Sequence, residues 1–220
     1  MNELWKPLWL SLRIATVATI ATALVAVPIA FAMARRRFRG KSFLEGLILM
    51  PLVLPPTVVG YMIIMSLGAQ GWIGRWLNRW LGYSIMFRFE GAVLAAAIVA
   101  LPMMYVPAKA SFAAVERELE EIARLFGASK RQVFWHVSLP LARRGILSGA
   151  LLGFARALGE FGATVMVLGW LPNRMTLPIS IYHDYVGDQL PHATAAVVAL
   201  SLVSLSLVMA YNASSAGRQE

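Results

Sequence analysis

Long apolar stretches, separated by short charged clusters, set the plan of this chain. They run from Leu8 to Ala34, Phe43 to Gly68, Gly91 to Phe112, Gly145 to Gly169 and Ala193 to Tyr211. Each is close to, or longer than, the ~20 residues an α-helix needs to cross a hydrocarbon core. Nothing between them is long enough to fold a soluble domain. The pattern predicts an all-α integral membrane fold. It is one transmembrane domain over residues 1–220, with about five transmembrane helices. A sixth, short or interfacial helix fits near Trp72 or between Pro172 and Tyr182.

Three of the stretches carry features that plain lipid contact does not ask for. The second contains Pro51, Pro55 and Pro56. Proline removes a backbone donor and clashes with the preceding turn. In lipid the freed carbonyls must find partners or border a wet cavity. A bent or broken helix is expected here, either beside a pathway or as a packing kink. Pro102 and Pro107 are expected to bend the third stretch likewise. In the fourth, Gly145, Gly149, Gly153 and Ala157 recur every four residues, a small-residue stripe that lets another helix approach closely. That neighbour belongs to the same chain or to a second copy. Arg156 and Glu160 follow one turn apart. Intramembrane charges are costly and mark candidate pathway or gate residues. The bland reading is a pair at i, i+4 that neutralises itself.

Two connecting segments have a pattern of their own. Trp72, Trp76 and Trp80 stand on one helical face with Arg75 and Arg79 on another. Such a helix contacts a partner or lies in the headgroup region, and the interfacial preference of Trp favours the second. The longer segment, residues 113–144, reads as two short helices. Val115, Leu119, Ile122 and Phe126 share a face, while Glu116, Glu118, Glu120 and Arg124 lie elsewhere. Gly127 suits a left-handed C-cap. Ser129 and Gln132 have capping-box spacing and would start the second helix. Pro140 is expected to break the chain before the next span. One apolar face on a short helix fits a partner's groove or the lipid surface.

Composition turns these stretches into a membrane protein. The chain is 59% hydrophobic and 14% charged, with mean hydropathy +0.66. Soluble domains are about half apolar and about a quarter charged. The net charge of +9 sits in short clusters between apolar runs rather than on a folded basic face. That is topology and not nucleic-acid binding. Arg35, Arg36, Arg37, Arg39 and Lys41 crowd the first connection, and the third carries Lys109, Arg117, Arg124, Lys130, Arg131, Arg143 and Arg144. Positive-inside then places both in the cytoplasm, with the N-terminus outside and the C-terminus inside. The first stretch reads as an uncleaved helix, since its apolar run is long and Arg35 to Arg37 flank it as a stop.

Candidate chemistry is sparse. There is no cysteine, which rules out disulfides and thiolate metal sites. His183, Asp184, Asp188 and His192 have ligand-type side chains without a recognised spacing, so no metal site is assigned. An intramembrane enzyme needs a nucleophile and base or a metal, and Arg156 with Glu160 is a poor set. A self-sufficient secondary transporter is expected to show internal repeats, which five stretches do not provide. No G-x-x-x-x-G-K-[ST] sequence occurs, so ATP is not expected to bind this chain.

One pattern is specific enough to carry a resemblance. Glu121-Ile122-Ala123-Arg124-Leu125-Phe126-Gly127 is followed by Val137-Ser138-Leu139-Pro140. This resembles the cytoplasmic E-A-A loop of ABC importer permeases: Glu121, Ala123, Gly127, Leu139 and Pro140 match, while Ile122 and Val137 replace Ala and Ile. Leu52 to Tyr61, Gly91 to Ala97 and Phe154 to Thr164 are similar to the molybdate importers of that group, the last stretch shared in part with sulfate permeases. Trp170 departs from relatives that often carry Asn. The resemblance implies a type I importer (MetI-like) permease fold and a translocation path for molybdate or tungstate. The alternative is sulfate, thiosulfate or another oxyanion. It implies a coupling helix at Glu121 to Gly127 that docks on an ATP-binding subunit, where Mg-ATP binds; this chain itself needs no cofactor. It also implies an extracytoplasmic molybdate-binding protein, a second permease copy as homodimer, and the plasma membrane of a prokaryote. Arg156, Glu160, Pro55 and Pro56 are the candidate path or gate residues.

Overall fold

The computed structural model describes residues 2–171 and 174–216. Pro172, where the sequence leaves room for a short helix, lies outside the described residues. The described chain is helical throughout: α1 (Asn2–Arg35), α2 (Lys41–Val53), α3 (Pro56–Leu67), α4 (Trp72–Leu81), α5 (Phe89–Ala114), α6 (Arg117–Leu125), α7 (Lys130–Val133), a π-helical turn (Phe134–Ser138), α8 (Leu139–Leu158), α9 (Gly162–Leu168), α10 (Leu177–Val186) and α11 (Leu190–Ala216). Three helices, Leu4–Arg35, Phe89–Ala114 and Leu190–Asn212, are long and apolar enough to cross a membrane alone. Counting α2 with α3 and the helix from Lys130 to Leu158 with α9 as bent spans gives up to five.

α5 is the hub because its sequence is small-residue rich. Ala92, Ala95, Ala96 and Ala100 are fully buried, which brings neighbouring backbones close. α1 lies beside it and runs parallel: Arg13 stacks over Phe89, Thr22 donates to the Ala97 carbonyl at 3.1 Å, and Arg35 donates to the Val115 carbonyl at 3.0 Å. α8 packs on α5 in the opposite direction. A Cβ on Gly149 would lie 2.9 Å from the Met104 carbonyl oxygen, and one on Gly145 would collide with Ser111. The small-residue stripe is therefore used inside the chain. α2 is tied to α5 by Lys109 on Glu45 at 2.6 Å. α10 is tied to α1 by Ser11, whose hydroxyl accepts from the Leu177 N–H at 2.7 Å.

Trp72, Trp76 and Trp80 are exposed along α4. Cβ atoms on Gly71 and Gly74 would strike the Ser66, Leu67 and Gly68 carbonyls, so these glycines let α4 fold back tightly on the end of α3. α10 is a second short helix in the region where the sequence allowed one.

Candidate functional site

The charged segment between α5 and α8 forms because its signals agree locally. Glu118 and Glu120 stand in the first turn of α6 and Arg124 in the last, matched to the helix dipole. The helix ends in a Schellman motif. Ala128 N–H donates to the Ala123 carbonyl at 3.0 Å and Gly127 N–H to the Arg124 carbonyl at 2.9 Å, with Gly127 at φ +88°. Nothing lies within 4 Å of the place a Gly127 Cβ would take. Its left-handed backbone alone therefore asks for glycine. Ser129 and Gln132 form a reciprocal capping box, with Gln132 N–H donating to Ser129 Oγ at 3.3 Å and Ser129 N–H to Gln132 Oε1 at 2.8 Å.

Pro140 does not break the chain, contrary to the sequence expectation. One helix runs from Lys130 to Leu158 through the π-helical turn. There the Leu139 N–H reaches back five residues to the Phe134 carbonyl. The widened turn next to Pro140 is a known way for a helix to absorb a residue that cannot keep the α-helical ladder. Phe134 in this turn meets Phe31 of α1 at 4.9 Å between ring centroids, and Phe31 meets Phe112 of α5 at 5.2 Å. The aromatic cluster anchors the base of the segment to both helices.

Glu120 decides which way α6 faces. It is buried, at 5% exposure, whereas Leu119, Ile122, Leu125 and Phe126 are exposed, the last two at 86% and 87%. The amphipathic helix is thus turned with its apolar residues outward. The cause is an ion pair. Arg35 Nη2 lies 2.7 Å from Glu120 Oε1, and the Ser138 hydroxyl donates to the same oxygen at 2.7 Å. Arg124 is a looser neighbour at 3.8 Å from Oε2. Glu120 thereby joins the end of α1, α6 and the start of α8. Sequence reasoning left it among the polar residues of α6. Of the motif residues, Glu121 and Gly127 are exposed, Ala123 and Leu139 half-buried, and Pro140 exposed. Glu121 and Gly127 therefore stand on the outward surface.

At the far end of α8, the two broken spans meet. α2 and α3 are bent by 115° at Leu54–Pro55, and the helix ending at Leu158 is bent from α9 by 57°. A Cβ on Gly162 would lie 3.1 Å from Pro56 Cβ, and one on Gly60 would lie 2.9 Å from Ala163 Cα. The breaks pack on each other through these glycines. Glu160 sits in the second break with its side chain 1% exposed. Its Oε1 accepts from the Ala163 N–H at 2.8 Å, holding the start of α9, and Arg156 Nη1 lies 2.7 Å from Oε2. The structure therefore gathers Pro55, Pro56, Arg156 and Glu160 around one junction. α8 spans the distance between this junction and the charged segment, about 30 Å for its length.

His183 approaches Asp184 at 3.2 Å, and among the described residues no three His, Cys, Asp or Glu side chains are placed to hold a metal. Trp170 lies in a ring cluster with Phe161 and Tyr182, at centroid distances of 6.5 and 5.5 Å.

Residues 26–216 match the model of the binding-protein-dependent transport system inner membrane component family. The chain belongs to this family. This inner membrane component is 38% identical to the molybdenum transport system permease protein ModB of Haemophilus influenzae, covering 90% of this chain and 89% of that one. It is 38% identical to a putative molybdenum transport system permease, YvgM, of Bacillus subtilis, over 94% and 92% of the two chains. It is 36% identical to the sulfate transport system permease CysW of Synechocystis, over 85% and 71%. Its fold is that of solved importer subunits. A bacterial alginate ABC transporter superposes with TM-score 0.75 at 15% identity, covering 96% of this chain and 78% of the other. The inward-facing MetNI methionine ABC transporter superposes with TM-score 0.73 at 16% identity, covering 96% and 94%.

Proposed function

We propose that this chain is the permease of an ATP-driven importer and forms the membrane path for molybdate or tungstate. The observation that carries the reading is α6: a short helix whose apolar face is held outward by a buried ion pair, on a chain without a phosphate-binding loop. Apolar side chains held in that position suit a groove on a partner. The partner is an ATP-binding subunit that carries Mg-ATP, and Glu121, Ala123, Gly127, Leu139 and Pro140 belong to the coupling surface. The choice of molybdate rests on similarity to permeases named for molybdenum.

The rest of the assembly follows from this reading. A second copy completes the path, and an extracytoplasmic binding protein delivers the anion. The basic connections face the cytoplasm of a prokaryote, and the N-terminus lies outside. The junction of Pro55, Pro56, Arg156 and Glu160 is the gate. Rotation of α6 on its partner moves α8 as a lever, and Glu160 sits in the break just beyond its end. The pathway then alternates between two global states, with no covalent chemistry in this chain.

The test is co-purification with the ATP-binding subunit and stimulated ATPase. Gly127→Pro and Glu121→Arg are expected to abolish both. An intact, stimulated complex in both variants refutes the docking assignment. Uptake by the reconstituted complex is expected for molybdate and tungstate. The sulfate permease relative and the Phe154 to Thr164 stretch favour one second reading, an importer of sulfate or thiosulfate. Sulfate uptake without molybdate uptake selects it.

A further inference from the structure

At the end of the bundle opposite α6 lies a crevice of about 1030 Å³. Lys6 and Arg13 of α1, Arg88 before α5 and Arg174 before α10 all line it. Among the described residues, none of the four has a carboxylate within 4 Å. Arg13 rests on the Phe89 ring at 5.2 Å, Arg88 on the Tyr83 ring at 4.7 Å, and Arg174 donates to the Phe87 carbonyl at 3.2 Å. Those contacts fix the side chains without neutralising them. Glu90 and Asp184 also line the crevice, and Asp184 is engaged by His183. Among the described lining residues, cations therefore outnumber acids.

Arg13 adds depth to the picture. It lies more than two turns inside the apolar helix that starts at Leu4. An arginine at such a position must face protein or a wet cavity. Here it faces the crevice, whose wall also includes Leu168, Met175 and Phe89. Cations of one sign between apolar walls focus a positive potential. Guanidinium groups match the paired oxygens of a tetrahedral oxyanion.

We infer that this crevice is an oxyanion-binding site within a single chain, formed by Arg13, Arg88 and Arg174 with Lys6 at its rim. The choice of a transported oxyanion as occupant rests on the importer reading, in which this is the outer end. The shared chemistry is a tetrahedral oxyanion, from solution or from a lipid phosphate.

The experiment uses the full chain in nanodiscs of zwitterionic lipid, with molybdate and sulfate as equilibrium-binding probes. Saturable binding is expected at one site per chain, weakening as salt rises. Arg13→Gln and Arg174→Gln are expected to weaken it about tenfold or more. Arg75→Gln and Arg79→Gln, on α4 outside the crevice, are expected to leave it unchanged. A second arm reads retained phosphatidylglycerol by native mass spectrometry. Lipid retention that is lost in Arg13→Gln, without free-anion binding, identifies the lipid phosphate as occupant. Absence of both, or equal loss in the α4 variants, overturns the site. Neither arm needs ATP or a partner, so failure here is separable from failure of the docking test.

Discussion

Removing the Glu120 carboxylate leaves the largely buried Arg35 guanidinium, its side chain 13% exposed, without its charge partner and Ser138 without its best acceptor. Breaking a buried pair on one side costs about 3–5 kcal/mol, because an uncompensated charge stays behind. Glu120→Ala is therefore expected to lower the thermal unfolding midpoint of the detergent-solubilised chain sharply. The double variant Arg35→Met with Glu120→Met should unfold later than either single variant, because no orphan charge remains. Arg124 is half exposed and 3.8 Å away, so Arg124→Ala should change stability by less than about 0.5 kcal/mol. Equal losses for Arg124 and Glu120 would refute this ranking. Little of the arrangement is legible in sequence. The spacing identifies the apolar residues of α6, but a one-sided helix does not say whether that side faces the core. Arg35 stands 85 residues before Glu120, and pairing at that separation is set by how α1 lies along α5.

The two helix breaks differ in how they were readable, and the difference is chemical. Pro55 and Pro56 announce the first, because a proline ring and a missing donor act wherever the chain places them. The second has no proline. It is held by Glu160 accepting from Ala163 N–H, by Gly162 against Pro56, and by Gly60 against Ala163. The Glu160 bond is local but has no common sequence signature, and both glycine contacts cross to distant residues, so local pattern reads the fourth stretch as one helix through Gly169. Pro140 fails in the opposite direction: its local rule predicts a break, and a π-helical turn absorbs it. The packing of α3 on α9 gives a contrast that can be measured. A Cβ on Gly60 would press on the Ala163 backbone and on Met166 Cβ, at 2.9 and 2.8 Å, which only a shift of α9 relieves. Gly60→Ala is expected to cost about 1–3 kcal/mol, the range for overpacking. Gly153→Ala meets the flexible end of Met104 at 3.4 Å and otherwise ordinary van der Waals contacts, Met104 Cβ at 3.7 Å and the Ala100 carbonyl at 3.8 Å, and is expected to be near neutral or slightly stabilising. Chemical or thermal unfolding of the two variants side by side reads the difference. Comparable losses would mean that α9 is not seated on Gly60.

Across the whole molecule, burial grades the helices by role. The apolar window of α5 is 56% buried within the chain, that of α1 33% and that of α11 11%. α5 is the central post, and most of the apolar window of α11 faces outward from the chain. Because α1 and α5 run parallel, Arg35 and Val115 share one end with α6, while Arg13 and Phe89 share the other. Orientation of the whole bundle then reduces to one binary question, and the proposed answer, from the positive-inside rule, puts the α6 end in the cytoplasm. The absence of cysteine makes that answer directly testable, since any single cysteine introduced is the only thiol. Ser129 and Ser84 are both exposed, one on the α6 end and the other in the connection before α5. A membrane-impermeant maleimide on spheroplasts should label Ser84→Cys and leave Ser129→Cys untouched until the membrane is opened. Ser84→Cys is a surface change worth about 0.5 kcal/mol or less, and Ser129→Cys gives up a helix cap at a cost of about 0.5–2 kcal/mol, below the total stability of a folded domain, so labelling reports position and not unfolding. The reverse pattern would put the apolar face of α6 outside, where no ATP-binding subunit can reach it. The energy for transport would then have to enter through a different surface, even though the family and the fold stood unchanged.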